Sequence, residues 1–160
     1  MVRLSDLHPV ESEHLRKRAE AMPAIGPGKW VSPPALDQAT VAIVSTAGLH
    51  RRIDPPFAVG SLDYRIIPGD IQFDDLVLSH ISANFDRSGF GQDPNIVFPV
   101  DRLRELVDDG TLGSLAPQAV ACIGGIYSVR RAEQELAPAV VEAVSGMDGP
   151  SVDLVLLVPV

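Results

Sequence analysis

Apolar residues along the chain form two kinds of pattern, and the two kinds alternate from residue 40 onward. Residues 40–46 (TVAIVST), 119–124 and 152–160 are nearly continuous apolar runs, which is typical of parallel strands buried on both faces. Shorter β-rich runs are bounded by turn sequences that contain proline and glycine. The pattern therefore predicts strands at 40–46, 64–67, 76–79, 95–99, 119–124 and 152–160.

Helix-period patterns lie around and between these runs. An N-terminal helix is predicted over 6–22, where leucines are spaced among charged residues. A second helix is predicted from residue 100 or 101 to about 107, with Asp101 as its N-cap. A third is predicted over about 128–144, where Pro138 implies a kink or a later start.

This alternation is typical of βαβ units, so the predicted fold class is α/β with a mostly parallel sheet flanked by helices. A Rossmann-like or flavodoxin-like three-layer arrangement is expected, incomplete at the C-terminus because no helix follows the run 152–160. Residues 1–39 are predicted to hold the N-terminal helix and a connector rich in proline and glycine, which Trp30 is expected to anchor. Residues 40–160 are predicted to form the α/β domain.

Composition narrows the classes of partner and compartment. The chain has 160 residues, a formal net charge of −8 and no basic cluster, which argues against nucleic acid or an anionic membrane surface as a partner. No run is long enough to span a bilayer and no signal peptide is recognisable, so a cytoplasmic location is expected. Cys122 is the single cysteine, and its apolar strand neighbours predict an inert core thiol.

Two loops carry the candidate chemistry, and the first follows the run 40–46. Its glycine permits a tight turn, and its backbone N–H groups and arginines are suited to a carboxylate or phosphate. His50 is a candidate acid, base or ligand. The alternative is a solvated surface loop. Neither a G-x-G-x-x-G nor a P-loop spacing is present. The candidate substrate-binding residues of this loop are Ser45, Thr46, Gly48, Arg51 and Arg52.

The second candidate loop follows the run 76–79. His80 stands at the end of an apolar run before a long loop with glycines, a common place for catalytic groups. His80 and Asp86 are a candidate imidazole–carboxylate pair. The alternative is that Ser79 and His80 only satisfy backbone groups at the strand end. No close ligand spacing such as H-x-x-x-H occurs, so no metal site is expected.

Several ordered motifs together resemble the selenoprotein B family of glycine, sarcosine, betaine and D-proline reductases, with the D-proline reductase type closest. The resemblance covers about residues 40–160. The motifs that carry it are residues 41–52 (VAIVSTAGLHRR), 54–57 (DPPF), 64–70 (YRIIPGD), 79–80 (SH), 97–106 (VFPVDRLREL) and 113–117 (GSLAP).

The resemblance implies an oxidoreductase that reductively cleaves a C–N bond of a small amino-acid-like substrate. Such proteins use a Sec/Cys-x-x-Cys redox pair directly after the strand that resembles 152–160, and a carbonyl group on a partner subunit, of the pyruvoyl type, activates the amine. In this reading His50 and His80 supply a proton, and Arg51 or Arg52 holds the substrate carboxylate.

The printed sequence departs from that pattern because nothing follows Val160. Two explanations are expected from this resemblance: a UGA codon for selenocysteine was read as a stop, or the C-terminal boundary of the sequence was chosen deliberately. Without the redox pair, and with no cofactor of its own, the chain alone is expected to be inactive. The alternative function is a non-catalytic α/β binding or interaction module that docks through its last strand. In both cases a bare apolar strand favours oligomers.

Overall fold

A computed structural model describes residues 3–24, 26–29, 31–81, 85, 87–126 and 128–160. The chain divides into two compact units, Met1–Val31 and Ser32–Val160. The first unit contains a 3-10 turn at Leu4–Asp6 and helix α1, Pro9–Glu20. Helix α1 begins after His8, whose Nδ1 accepts a hydrogen bond from the N–H of Val10 at 3.3 Å. The predicted N-terminal helix is therefore present.

The second unit contains seven described strands in two sheets. One is a mixed sheet, and the other is a small antiparallel ribbon formed by the second and fourth strands. The strands are β1 (Thr40–Ser45), β2 (Leu49–Arg51), β3 (Tyr64–Pro68), β4 (Leu76–Leu78), β5 (Ser114–Leu115), β6 (Gln118–Cys122) and β7 (Leu154–Val158).

Strand β1 is the centre of the mixed sheet. On one side it pairs in parallel with β7, from Val41 opposite Leu154 to Ser45 opposite Val158. Its other side is shared by β5 and then β6, both parallel to it. Strand β3 joins the far side of β6 in antiparallel orientation. The predicted α/β fold with a mostly parallel sheet is confirmed.

Helices pack on both faces of this sheet. Successive side chains of β1 point to opposite faces, and its apolar residues therefore need cover on each. Ile43 packs in a core cluster with Phe98 and Val100 on one face, and Ala42 and Val44 pack in a second cluster on the other. The described helices of this unit are α2 (Ser88–Gln92), α3 (Val100–Asp108), α4 (Val129–Arg131), the π-helical turn Ala132–Leu136 and α5 (Ala137–Ser145). Helix α3 contributes to the first cluster and α5 to the second.

The segment that the sequence predicts as one helix over 128–144 is continuous but not uniform. Ser128 caps its start by accepting a hydrogen bond from the N–H of Arg131. The π-helical turn lies immediately before α5, in which Pro138 occupies the first turn. Proline has no N–H and its ring collides with the carbonyl of the preceding turn, and a π-helical turn relieves that collision by widening the helix.

The strand predicted at 95–99 is wrong. Pro94–Ile96 is a 3-10 turn, started by the Asp93 side chain, which accepts a hydrogen bond from the N–H of Asn95 at 2.9 Å. Val97 and Phe98 are buried without being in a strand, so a short apolar run here reflects a buried loop.

The predicted N-cap of α3 is also wrong. The N-cap position is Pro99, and Asp101 lies in the first turn, where its carboxylate pairs with Arg104 at 2.6 Å. The side chain of Asn95 accepts a hydrogen bond from the N–H of Asp101 at 3.1 Å. A residue outside the helix therefore provides the capping that the sequence attributes to Asp101.

Two further expectations need correction. Residues 49–51, interpreted as part of a loop, form β2, in which Leu49 and His50 are buried. The last strand is parallel as predicted, but it is not buried. It is an edge strand that pairs with β1 alone among the described strands, and 68% of Leu157 is exposed.

Candidate active site

The carboxyl ends of β1, β6 and β7 lie together at one end of the mixed sheet, which we call its carboxyl edge. The Thr46 hydroxyl accepts a hydrogen bond from the N–H of Val160 at 2.8 Å and lies 3.3 Å from the Val160 carbonyl, to which it donates. The N–H of Gly124 donates to the carbonyl of Thr46 at 2.8 Å. A Cβ atom on Gly124 would lie 2.5 Å from the Val160 carbonyl oxygen, so only glycine fits between these strand ends.

The ribbon formed by β2 and β4 is attached to this edge through Gly48. The N–H of Gly48 donates to the carbonyl of Cys122 at 2.9 Å, and its carbonyl accepts from the N–H of Ser79 at 3.0 Å. Gly48 has a φ of +70°, and a Cβ atom there would lie 3.2 Å from the backbone nitrogen of His80. We call Thr46, Gly48, Ser79, His80, Gly124 and Val160 the carboxyl-edge cluster.

His80 is the buried histidine of this cluster, with 5% of its surface exposed. Its ring lies 4.7 Å from the ring of Phe85, and its carbonyl accepts a hydrogen bond from the Arg87 guanidinium. Burial and, secondarily, the nearby Arg87 charge hold the pKa of His80 below its ordinary value, against a smaller opposing effect of a backbone hydrogen bond with Val160. Neutral imidazole is therefore the favoured form, which suits a base or a neutral hydrogen-bonding group.

His50 and Ser79 form a hydrogen-bonded pair across the ribbon. The Nδ1 atom of His50 lies 2.7 Å from the carbonyl oxygen of Arg51, and its Nε2 atom lies 2.7 Å from the Ser79 hydroxyl. Because a carbonyl oxygen can only accept, Nδ1 carries a proton; in the neutral ring Nε2 is then the acceptor, and Ser79 donates to it. His50 is 4% exposed and Ser79 is half-buried. The arrangement is an imidazole, oriented by a third group, in contact with a hydroxyl.

The two predicted arginines lie at the opposite end of the ribbon from Ser79 and His80, since Arg51 pairs with Leu76 at the start of β4. Arg51 makes a bidentate ion pair with Asp54, with contacts of 3.0 and 2.7 Å, and this pairing holds the pKa of Asp54 below its ordinary value. Arg52 is exposed and donates to the carbonyl of Asp74 at 2.7 Å. Both arginines line a pocket of about 380 Å³.

Ser45 and Cys122 lie inside the core. The Ser45 hydroxyl donates to the carbonyl of Val97 at 2.8 Å and is fully buried, so it holds the loop before α3 against β1. Cys122 is 4% exposed in β6, as its apolar neighbours predict, and burial raises the pKa of its thiol. Asp86, the predicted partner of His80, and Trp30, the predicted anchor, lie outside the described residues.

The structure thus divides the predicted site residues into two groups. Thr46, Gly48 and His80 converge at the carboxyl edge, and His50 reaches this group through Ser79. Arg51 and Arg52 belong to the pocket at the far end of the ribbon. Sequence reasoning did not single out Gly124, which the close approach of Val160 requires, nor the role of Ser79 as the hydroxyl partner of His50.

Within the part of the chain that the structure describes, no group of three or more histidine, cysteine, aspartate or glutamate side chains is arranged to hold a metal ion. Among the same residues, no helix has the length and apolar character needed to cross a bilayer.

Comparison with known proteins gives two matches. The family model for glycine/sarcosine/betaine reductase selenoprotein B matches residues 21–158. The chain is also 33% identical to D-proline reductase subunit gamma of Acetoanaerobium sticklandii over 123 residues, which are 76% of this chain and 49% of that subunit. The chain therefore spans about half the length of this curated relative. No solved structure matches.

Proposed function

Because the chain belongs to the glycine/sarcosine/betaine reductase selenoprotein B family, we propose that it is part of an oxidoreductase that reductively cleaves the C–N bond of a small amino-acid-like substrate. The family match, which covers nearly the whole α/β unit, is the observation that carries the proposal. Similarity to a D-proline reductase subunit supports a substrate of the D-proline type.

The proposed reaction consumes two electrons and two protons, since the C–N bond breaks and a hydrogen is added to each of its atoms. Cys122 is the single cysteine of the sequence and is buried, so these residues hold no pair of thiols. We therefore propose that a Sec/Cys-x-x-Cys pair lies on polypeptide outside these 160 residues. When present, such a pair supplies the two electrons and becomes a selenenyl sulfide or a disulfide.

Within this chain, the proposal assigns proton handling to the carboxyl-edge cluster. Catalytic groups of open α/β sheets usually lie at the carboxyl ends of the strands, where His80 and Ser79 are found. In the neutral ring Nε2 of His50 accepts from the Ser79 hydroxyl at 2.7 Å; when Nε2 takes up a second proton, that bond reverses and Ser79 can pass a proton to the edge. His80, kept neutral by its surroundings, orients or deprotonates a group at the same edge.

Of the two predicted arginines, Arg52 offers the freer guanidinium for a carboxylate, but a substrate of the size of D-proline held there does not reach the carboxyl-edge cluster, because Arg52 lies at the opposite end of the ribbon from Ser79 and His80. The guanidinium of Arg51 is already bonded to both oxygens of Asp54, whereas Arg52 is exposed and has one described side-chain contact, with the carbonyl of Asp74. An exposed guanidinium offers further donors in the fork geometry that a carboxylate prefers.

The proposal also includes partners and a location. A partner subunit carrying a carbonyl group of the pyruvoyl type activates the substrate amine, and the active assembly is an oligomer. A cytoplasmic location is proposed because a redox pair that must return to its reduced form works in a reducing compartment. The similarity to a protein named as one subunit of a reductase supports the need for partner subunits.

The experiment is a ring-opening assay on the complete reading frame, produced with its partner subunits and given D-proline and a dithiol reductant. Cleavage of the C–N bond turns a secondary amine into a primary amine, which a reagent specific for primary amines detects. We expect Ser79→Ala to lower kcat by about 100-fold or more. Ser61→Ala removes a hydroxyl whose bonds, among the described residues, are to the nearby Asp63, and it is expected to leave kcat unchanged.

Each outcome of this assay bears on a different part of the proposal. If the complete assembly cleaves neither D-proline nor glycine, sarcosine or betaine, the proposed reaction is wrong. If it cleaves D-proline and Ser79→Ala is as fast as the unaltered protein, the reaction stands and the relay through His50 and Ser79 is wrong.

A further inference from the structure

Strand β7 leaves one edge of the mixed sheet open. It pairs in parallel with β1 on one side, and no described strand pairs with its other side. Its side chains are unusually exposed for apolar residues of a parallel sheet, at 43% for Val155, 37% for Leu156 and 68% for Leu157. Parallel strands normally have both faces covered, and an open apolar edge is a template for pairing with another strand.

Two apolar grooves run beside this edge, one on each face of the sheet. The groove next to α5 has a volume of about 550 Å³, and Asp153 is the single charged residue in its lining. The groove next to α3 has a volume of about 300 Å³ and has no charged residue in its lining. Val155 lines both grooves. The edge and the two faces beside it therefore form one continuous apolar surface, which we call the β7 surface.

We propose that the β7 surface is the docking site for a strand and flanking helices supplied by the polypeptide that corresponds to the unmatched half of the D-proline reductase subunit. About half of that subunit has no counterpart in this chain. A parallel sheet grows by adding a strand at its edge, with crossover helices packed on the faces. The β7 surface offers one free edge and a mainly apolar groove on each face, which is what such a unit requires.

The choice of occupant follows from the chemistry of the surface. The near absence of charge in both grooves favours the apolar faces of helices over a polar ligand. A second copy of this chain would offer an identical strand edge but would leave half of the relative's length without a counterpart. The proposal does not depend on the redox chemistry, because a strand and its helices dock on these grooves whether or not they carry a selenocysteine or cysteine pair.

The test mixes the purified 160-residue chain with a separately produced polypeptide from the same genome that matches the remaining half of the relative. Size-exclusion chromatography with light scattering gives stoichiometry, calorimetry gives Kd, and hydrogen exchange reports the protection of β7 amides. We expect a one-to-one complex and at least tenfold slower exchange of those β7 amides that do not face β1.

Two matched lysine substitutions locate the contact. Leu157→Lys adds a charge to the groove beside α5 and is expected to weaken binding by at least tenfold. Val59→Lys changes a residue that is 75% exposed and lines neither groove, and it is expected to leave Kd unchanged. Circular dichroism checks that both variants are folded, which their exposure favours.

The proposal is overturned by any of three results: no complex forms at high micromolar concentration, the two lysine variants bind equally well, or β7 becomes protected equally in a homodimer that the second polypeptide does not disrupt. Failure of the ring-opening assay alone leaves the docking result unaffected, so the two proposals fail separately.

Discussion

Replacing Gly48 by alanine tests whether this residue determines how the ribbon of β2 and β4 meets the sheet. Gly48 and Gly60 have the same φ of +70°, so an alanine at either position experiences the same disfavoured left-handed backbone. The two positions differ in the space available for a Cβ atom. A Cβ atom at Gly48 would lie 3.2 Å from the backbone nitrogen of His80 and 3.4 Å from the carbonyl carbon of Ser79, whereas a Cβ atom at Gly60 meets no atom within 4 Å.

The magnitude follows from separating these two effects. The left-handed conformation costs an alanine about 1–2 kcal/mol at either position, and the loss of unfolded-chain entropy is also common to both. Crowding of the His80 backbone adds a further cost of about 1–3 kcal/mol for Gly48→Ala alone. We therefore expect Gly48→Ala to lower the free energy of unfolding by about 1–3 kcal/mol more than Gly60→Ala does.

Urea unfolding followed by circular dichroism measures both free energies, and amide spectra report whether the His80 resonance moves. The expected result is a large change at His80 for Gly48→Ala and none for Gly60→Ala. Equal destabilisation by the two variants would refute the claim that Gly48 is needed for the close approach of β4 to the sheet.

Two further predictions concern the same edge of the sheet. Gly124→Ala is expected to lower the free energy of unfolding by about 1–3 kcal/mol, because its Cβ would lie 2.5 Å from the Val160 carbonyl oxygen. The control is Gly125→Ala, because a Cβ atom there would have Ile81 atoms at 3.8 and 3.9 Å as its nearest neighbours. Equal urea midpoints for the two variants would contradict the argument. The depressed pKa of His80 predicts that its contribution to the free energy of unfolding is fully present above about pH 6.5 and falls below that pH, by at most about 1.4 kcal/mol per pH unit. His80→Gln should reduce this slope when urea unfolding is measured at a series of pH values.

The sequence predicts best those strands that are buried between neighbouring strands of the sheet and beneath its covering helices. Residues 41–44 are apolar at every position because β1 has a neighbour on both sides and a helix on both faces. The same pattern at 95–99 has another cause. There, Asp93 and Pro94 start a 3-10 turn, and Val97 and Phe98 are buried by packing against the sheet. A short apolar run indicates that the residues are buried, and buried residues also occur outside strands.

The contacts of the candidate site could be predicted only in part. His50 and His80 are visible in the sequence as polar residues beside apolar runs. The contact between His50 and Ser79 joins residues 29 positions apart and depends on the register of β2 against β4, with Leu49 opposite Leu78. Register follows from side-chain packing over the whole ribbon, so no local motif could have indicated it.

The attachment of the ribbon through Gly48 has a mechanical consequence. Both backbone groups of this single residue are used, one toward Cys122 in the sheet and the other toward Ser79 in the ribbon. The ribbon carries His50 near its middle and Arg51 at its far end. Leu49 and Leu76 of the ribbon also lie in the core cluster that contains Ile43, so packing and the bonds of Gly48 together fix the ribbon on the sheet and set the positions of the imidazole and the guanidinium jointly.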